Sequence, residues 1–196
     1  MKILTRRQHD GQRSGWSLVE LMTVTVVLAI AAIIVIPYAA SGASATGQAA
    51  SRLLVTDLLT AQMDAVATQG FRRVHFYSDG SGWCIVQLEQ GELADPFDAG
   101  TAVYVADAIE SQGQGQQSII QLDQDVRFQD ISIQNISFGK SITSVTFDPT
   151  GGIITDDGAP SLGGSVDIVS GTYSWTISIA PLTGKVSVNE NVGGSS

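Results

Sequence analysis

The chain has 196 residues, with 43% hydrophobic and only 15% charged, which excludes a disordered polyelectrolyte. Its formal net charge of −9 is unevenly spread. Ahead of Trp16 four bases (Lys2, Arg6, Arg7, Arg13) face one acid, Asp10; from Trp16 onward six bases face eighteen acids, leaving a body of −12 that disfavours tight nucleic-acid binding. The single cysteine, Cys84, excludes an intramolecular disulfide or a CxxC metal site, and reads as a buried thiol, with intermolecular pairing as the alternative.

A basic start followed by an apolar run is a targeting pattern, and it predicts a cytoplasmic N-terminus with the acidic remainder carried across a membrane. Residues 21–36 are apolar except for Thr23 and Thr25. With their flanks they are long enough to span, since about 20 residues cross the hydrocarbon layer. Glu20 stands near the start of this run, where a carboxylate costs on the order of 2.5–3.5 kcal/mol. Three readings compete. A cleaved secretory signal would end at a small-x-small site, which residues 40–45 (ASGASA) could supply. A plain anchor gives Glu20 no purpose. A leader cut ahead of the apolar segment would keep Glu20 in the mature chain.

The stretch GWSLVELMTVTVVLAIAAIIVIP, residues 15–37, resembles the N-terminus of type IV pilins and type II secretion pseudopilins. In that family a glycine precedes the cut, an aromatic residue follows it, and a glutamate stands fifth in the mature chain. The resemblance implies cleavage by a prepilin peptidase between Gly15 and Trp16, N-methylation of Trp16, and an assembly role for Glu20 through a neighbouring subunit's N-terminal amine. It also implies a helix kink at Pro37. Trp16 departs from the family's usual phenylalanine.

Residues 41–47 (SGASATG) read as a flexible link and residues 48–69 as an amphipathic helix. Ala50, Leu54, Leu58, Ala61 and Ala65 form one apolar stripe on that helix, and Gly70 is its expected stop. Beyond residue 70 the period becomes two. FRRVHFYS and GWCIVQLEQ flank a DGSG turn as a hairpin, and TAVYVAD reads as a third strand. Residues 110–117 are a polar loop, residues 118–138 hold one or two strands, and residues 141–155 hold strands either side of DPTGG. Residues 164–188 read as three strands broken near residues 170–171 and 181–184.

This order predicts an α+β fold, a long N-terminal membrane and amphipathic helix packed on an antiparallel β-sheet domain. The organisation expected is a basic leader over 1–15, a transmembrane or filament-core helix over 16–40, a linker and helix over 41–69, and a β-rich domain over 70–196. LLTAQMDAVATQGFRRVHF, together with VTFDPTGG and WTISIAPLTGKVSV, resembles the GspH/FimT group of minor pseudopilins and minor pilins; Phe147, Gly151, Gly184, Lys185 and Val186 are the matching positions. The resemblance implies a pilin-like fold and a non-catalytic subunit of a type II secretion pseudopilus or type IV pilus. Its partners would be the prepilin peptidase, other subunits, an assembly platform and the membrane, with no cofactor and no nucleic acid. It would be single-pass in the inner membrane with a periplasmic body. The alternatives are a DNA-binding competence pilin and an exported enzyme or binding protein.

Other chemistry has thin support. His75 and Cys84 could face each other across the hairpin, but no orienting group or oxyanion motif accompanies them. No catalytic or metal site is expected. Asp148, Asp156 and Asp157 could supply calcium oxygens, though Asp-Gly is also the ordinary solvated turn.

Overall fold

The computed structural model describes residues 17–106, 117–139 and 143–192, and of residues 34–41 and 192 the backbone alone. The chain divides into two compact units, Met1–Ala40 and Ser41–Ser196. Helix α1, Leu18–Thr68, belongs to both. The stretch 41–47 is part of this helix rather than a break in it. The hydroxyls there and just beyond are satisfied within the helix: Thr46 Oγ1 donates to the Gly42 carbonyl at 2.9 Å and Ser51 Oγ to the Gly47 carbonyl at 2.8 Å.

In the second unit α1 lies on two antiparallel sheets. The first holds β1 (Phe71–Phe76), β2 (Gly82–Leu88), β3 (Val103–Tyr104), β4 (Ile119–Gln121), β6 (Ser144–Phe147) and β7 (Ile153–Ile154), in the order β3-β2-β1-β6-β7, with β4 also on β2. The second holds β5 (Ile131–Phe138), β8 (Gly164–Ser170), β9 (Tyr173–Ile179) and β10 (Val186–Val192), in the order β10-β9-β8-β5. The fold is therefore α+β, helix first and strands after. The third strand is shorter than its sequence suggested: only Val103 and Tyr104 pair with β2, and Ala106 makes an isolated bridge to Gln117. Most of the polar loop expected over 110–117 lies outside the described residues.

Period decides what is buried. Ala50, Leu54, Leu58, Ala61 and Ala65 are all 0% exposed, the predicted stripe in full. They meet Val74, Phe76, Trp83 and Ile85 of the first sheet and Val166, Ile168, Trp175, Ile177 and Ile179 of the second in one core. Each fully buried leucine of the stripe contributes about 1.5–3 kcal/mol.

The helix does not end on Gly70 in the way expected. Gln69 takes the left-handed conformation at φ 54°, the Gly70 amide donates to the Ala65 carbonyl at 3.1 Å, and the Gln69 amide donates to the Val66 carbonyl at 3.4 Å. This is a Schellman end with glutamine where glycine is usual. The Gln69 carboxamide returns a 2.8 Å bond to the Val66 carbonyl, which helps hold the turn.

Candidate functional site

In the first unit the described side chains, residues 17–33, begin α1, and the polar ones among them are Ser17, Glu20, Thr23 and Thr25. Leu18, Val19, Leu21 and Val27 are 73%, 67%, 60% and 63% exposed, and at 100° per residue they stand on every side of the helix. A helix apolar all round belongs in lipid or among other helices. Thr23 and Thr25 hide their hydroxyls by donating to the Glu20 and Met22 carbonyls, each at 2.9 Å. Glu20 is exposed in the first turn, and its amide donates to Ser17 Oγ at 3.3 Å. Ser17 and Glu20 thus stand as N-cap and third helical residue, the S-x-x-E spacing of a capping box. That signal was present in the sequence and offers Glu20 a local role beside any assembly role. Gly15 and Trp16 lie outside the described residues. Pro37 lies within α1, in the stretch described by backbone alone. Among the described residues no helix is long and apolar enough to cross a membrane; the apolar run continues in sequence past residue 33.

In the second unit the residues that match the GspH/FimT pattern converge on one helix side chain. Gln62 Nε2 donates to the Gly151 carbonyl at 2.6 Å and to the Thr183 carbonyl at 3.1 Å. Gly151 and Gly184 have φ of 84° and 60°, and a Cβ on Gly184 would lie 2.3 Å from Gln62 Nε2. Two turns far apart in sequence are therefore pinned to α1 by one carboxamide; both glycines take the left-handed φ, and a Cβ on Gly184 would also lie 2.6 Å from the Gly151 carbonyl oxygen. Phe147, at 0% exposure, anchors the strand before the first turn. Val186 starts β10 after the second and packs on the core, while Lys185 closes the β9–β10 loop, its carbonyl accepting the Ala180 amide at 2.9 Å. Gln62 escaped the sequence reading because its partners are backbone carbonyls, which leave no side-chain pattern.

The Arg72–Arg73 doublet, the only adjacent pair of bases among the described residues, is buried at 3% and 4% exposure. Arg72 pairs with Asp64 and donates to Thr68 Oγ1 at 2.8 Å, tying the end of α1 to β1. Arg73 donates to Thr146 Oγ1 at 3.1 Å and to the Asp95 and Leu93 carbonyls, with Asp156 at 3.7 Å. Neither guanidinium is presented for phosphate.

His75 and Cys84 are direct register partners, as the hairpin implied. Their chemistry runs against a nucleophile. Burial, then the Arg73 charge, pushes the imidazole down to about 4, while burial pushes the thiol up to about 11. A thiolate–imidazolium pair needs the opposite shifts. His75 instead stacks on Phe97, centroids 4.0 Å apart. The three aspartates considered for calcium have other commitments. Asp148 Oδ1 accepts from the Thr150 amide and hydroxyl at 2.8 and 2.7 Å and from the Gly152 amide at 3.0 Å. Asp156 faces Arg73, and Asp157 accepts from Thr155 Oγ1 and the Ala159 amide. Among the described residues no group of three potential ligands is gathered.

Comparison with known proteins agrees with this geometry. The family model for the type II transport protein GspH matches residues 50–183, more than half of the chain, including Gln62 and the Gly151 and Thr183 carbonyls it holds. A search of curated proteins finds no match. Among solved structures, the minor pseudopilin EpsH from the Type 2 Secretion System of Vibrio cholerae aligns at 10% identity and TM-score 0.47, covering 73% of this chain and 95% of that one. The type IV minor pilin FimU of Pseudomonas aeruginosa aligns at 15% identity and TM-score 0.38, covering 76% and 86%. Likeness at these scores carries no argument by itself; the family match does. The chain belongs to the GspH family of the type IV pilin and pseudopilin superfamily, whose members are structural subunits and not enzymes.

Proposed function

We propose that this chain is a minor pseudopilin or pilin subunit, cut by a prepilin peptidase between Gly15 and Trp16 and methylated at Trp16. The helix that follows holds it in the inner membrane in a single pass, with the acidic body periplasmic. From there it joins other subunits on an assembly platform, in a type II secretion pseudopilus or a type IV pilus. Pro37 would bend α1 by removing a helical amide. The observation that carries the reading is the all-round apolar exposure of α1 over residues 18–33, interrupted only by two self-satisfied threonines and one acid in the first turn. Such a helix is insoluble alone and stable in lipid or in a helix bundle, and one carboxylate there is tolerated when an opposite charge meets it. The burial of Arg72 and Arg73 counts against the nucleic-acid alternative.

Intact mass of the membrane-extracted protein tests the processing. The expected mature chain begins at a methylated Trp16, whereas a start at Ala43 or Thr46 overturns it. Two substitutions separate the roles of Glu20. Glutamine still serves a capping box but carries no charge. Pairing with a neighbour's amine therefore predicts that Glu20→Ala and Glu20→Gln both insert normally and both lose filament incorporation. If Glu20→Gln incorporates like the unmodified chain, the amine pairing is wrong and capping accounts for Glu20.

A further inference from the structure

The free edges of the two sheets are not alike. In the first sheet β3 and β7 are two residues long, and β4, also on β2, is three. In the second sheet β5 is interrupted between Gln134 and Ser137, where Asn135 takes φ 51°. Short or bulged strands make poor templates for another chain. β10 has neither protection. Among the described strands it pairs with β9 alone, over seven residues in unbroken register, without proline, lysine or bulge. From Ser187 to Asn191 every residue is exposed, on both faces.

Pairing fixes what that edge offers. The Ala180 amide donates to the Lys185 carbonyl at 2.9 Å, and bonded pairs alternate along an antiparallel ladder. Ser187, Asn189 and Asn191 therefore bond to β9, while Val186, Val188 and Glu190 turn their amides and carbonyls outward. Val188 and Glu190 also line a groove of about 560 Å³ between β10 and α1, with Gln48, Arg52, Thr56 and Trp175. Among the described residues Arg52 has no ion pair, and Trp175 Nε1 is buried without an acceptor. Helix α1 runs along β9, since Gly47 lies against Trp175 and Gln62 holds the Thr183 carbonyl past the end of that strand. Trp175 is the register partner of Glu190. Five residues on from Gly47, about 7.5 Å along the helix, Arg52 stands level with Val188, which is about 7 Å from Glu190 along the strand.

We infer that β10 takes up an extended segment of another polypeptide as a further strand of the second sheet. The amides and carbonyls of Val186, Val188 and Glu190 hold its backbone, and its side chains on the α1 side enter the groove. The segment carries a carboxylate opposite Val188, where Arg52 and the Trp175 donor lack oxygens, and a cation two residues away, opposite Glu190. A helix cannot satisfy the edge, because its own amides are spent within it. A second copy does not fit. Parallel pairing turns its Glu190 to the far face and brings the groove no carboxylate. Antiparallel pairing about Asn189 brings Glu190 opposite Val188 but runs the two α1 helices in opposite directions, which two chains anchored in one membrane cannot do. That last exclusion rests on the proposed function; the edge and the groove do not.

The test places the photo-crosslinking residue benzoylphenylalanine singly at Asn189, Gln134 and Val103 in the full-length chain, produced in the cells that make it. An adduct is expected from Asn189, several-fold stronger than from Gln134 on β5 or Val103 on β3, and mapping to one segment of a different polypeptide with an acid and a base two residues apart. Val188→Pro removes only an outward amide, so it should abolish the adduct with little change in melting temperature, whereas Val188→Ala should keep it. Ser187→Pro removes a bond to β9 and should lower the melting temperature. Arg52→Glu should cut the adduct several-fold, and reversing the mapped acid to arginine should restore it. No adduct, equal yield at all three positions, an adduct that survives Val188→Pro, a Val188→Pro chain that melts as low as Ser187→Pro, or an adduct that maps to a helix or to a second copy each overturns the inference. The intact mass of the same sample reports cleavage at Gly15, so failure of the processing reading is seen separately.

Discussion

His75 shows how a residue can look catalytic in sequence and act otherwise in the fold. Set opposite Cys84 and stacked on Phe97, it is kept neutral chiefly by burial and secondly by Arg73. Its folded value near 4 lies below the unfolded value near 6.5. As pH falls from 6.5 the unfolded chain takes up the proton first. The stability tied to neutral His75 is therefore complete above that value and drains away toward 4. The side chain is only part-buried, so screening limits the effect to about 1–2 kcal/mol. Urea midpoints measured at about pH 7.5 and about pH 5 should fall further for the unmodified protein than for His75→Gln. Equal falls would mean that the imidazole is not held neutral. Burial likewise keeps Cys84 protonated, which disfavours the reactive thiolate.

At the scale of elements, α1 carries two glycines that composition treats alike and packing does not. A Cβ on Gly47 would lie 2.0 Å from Trp175 Cζ3, whereas a Cβ on Gly42 meets nothing within 4 Å. Alanine raises helix propensity by about 0.8–1 kcal/mol at either site. Gly42→Ala should therefore stabilise by roughly that amount, while Gly47→Ala should cost about 1–3 kcal/mol because Trp175 must move. Calorimetry of the two variants decides it; a stabilised Gly47→Ala would show that the indole yields freely. The contrast also shows what the sequence could reveal. The buried stripe of α1 and the strand breaks near residues 170 and 182 were legible, because each depends on spacing within one element. The clash at Gly47, the double bond of Gln62 and the inward turn of Arg72 and Arg73 were not, because each partner comes from a remote element. The helix end was half legible: the place was right, but Gln69, not Gly70, adopts the left-handed turn. Pairing into two sheets was equally hidden, since strands of both sheets bury the same alternation into one core. At the N-terminus the apolar run and Glu20 were plain in sequence, and so was the Ser17–Glu20 spacing, which the chemistry of a buried charge overshadowed.

For the whole molecule the division of labour follows the solvent each part suits. Every residue of the core lies between Ala50 and Val186, and the exposed apolar run lies before residue 34. A chain beginning at Ser41 keeps Gly47 against Trp175, the whole buried stripe and both turns held by Gln62. None of the described residues that it loses belongs to that core. Such a chain should dissolve without detergent and melt within about 4 °C of the full-length protein, the shift that about 1 kcal/mol makes in a domain of this size. A chain beginning at residue 55 is the matching control. It discards Ala50 and Leu54, both 0% exposed, and the cost of emptying one leucine site alone is about 2–5 kcal/mol. Thermal unfolding followed by circular dichroism should therefore separate the two truncations clearly. If the chain from Ser41 melts far below the full-length protein, residues 1–40 stabilise the body directly, and the helix before Ser41 is more than an anchor.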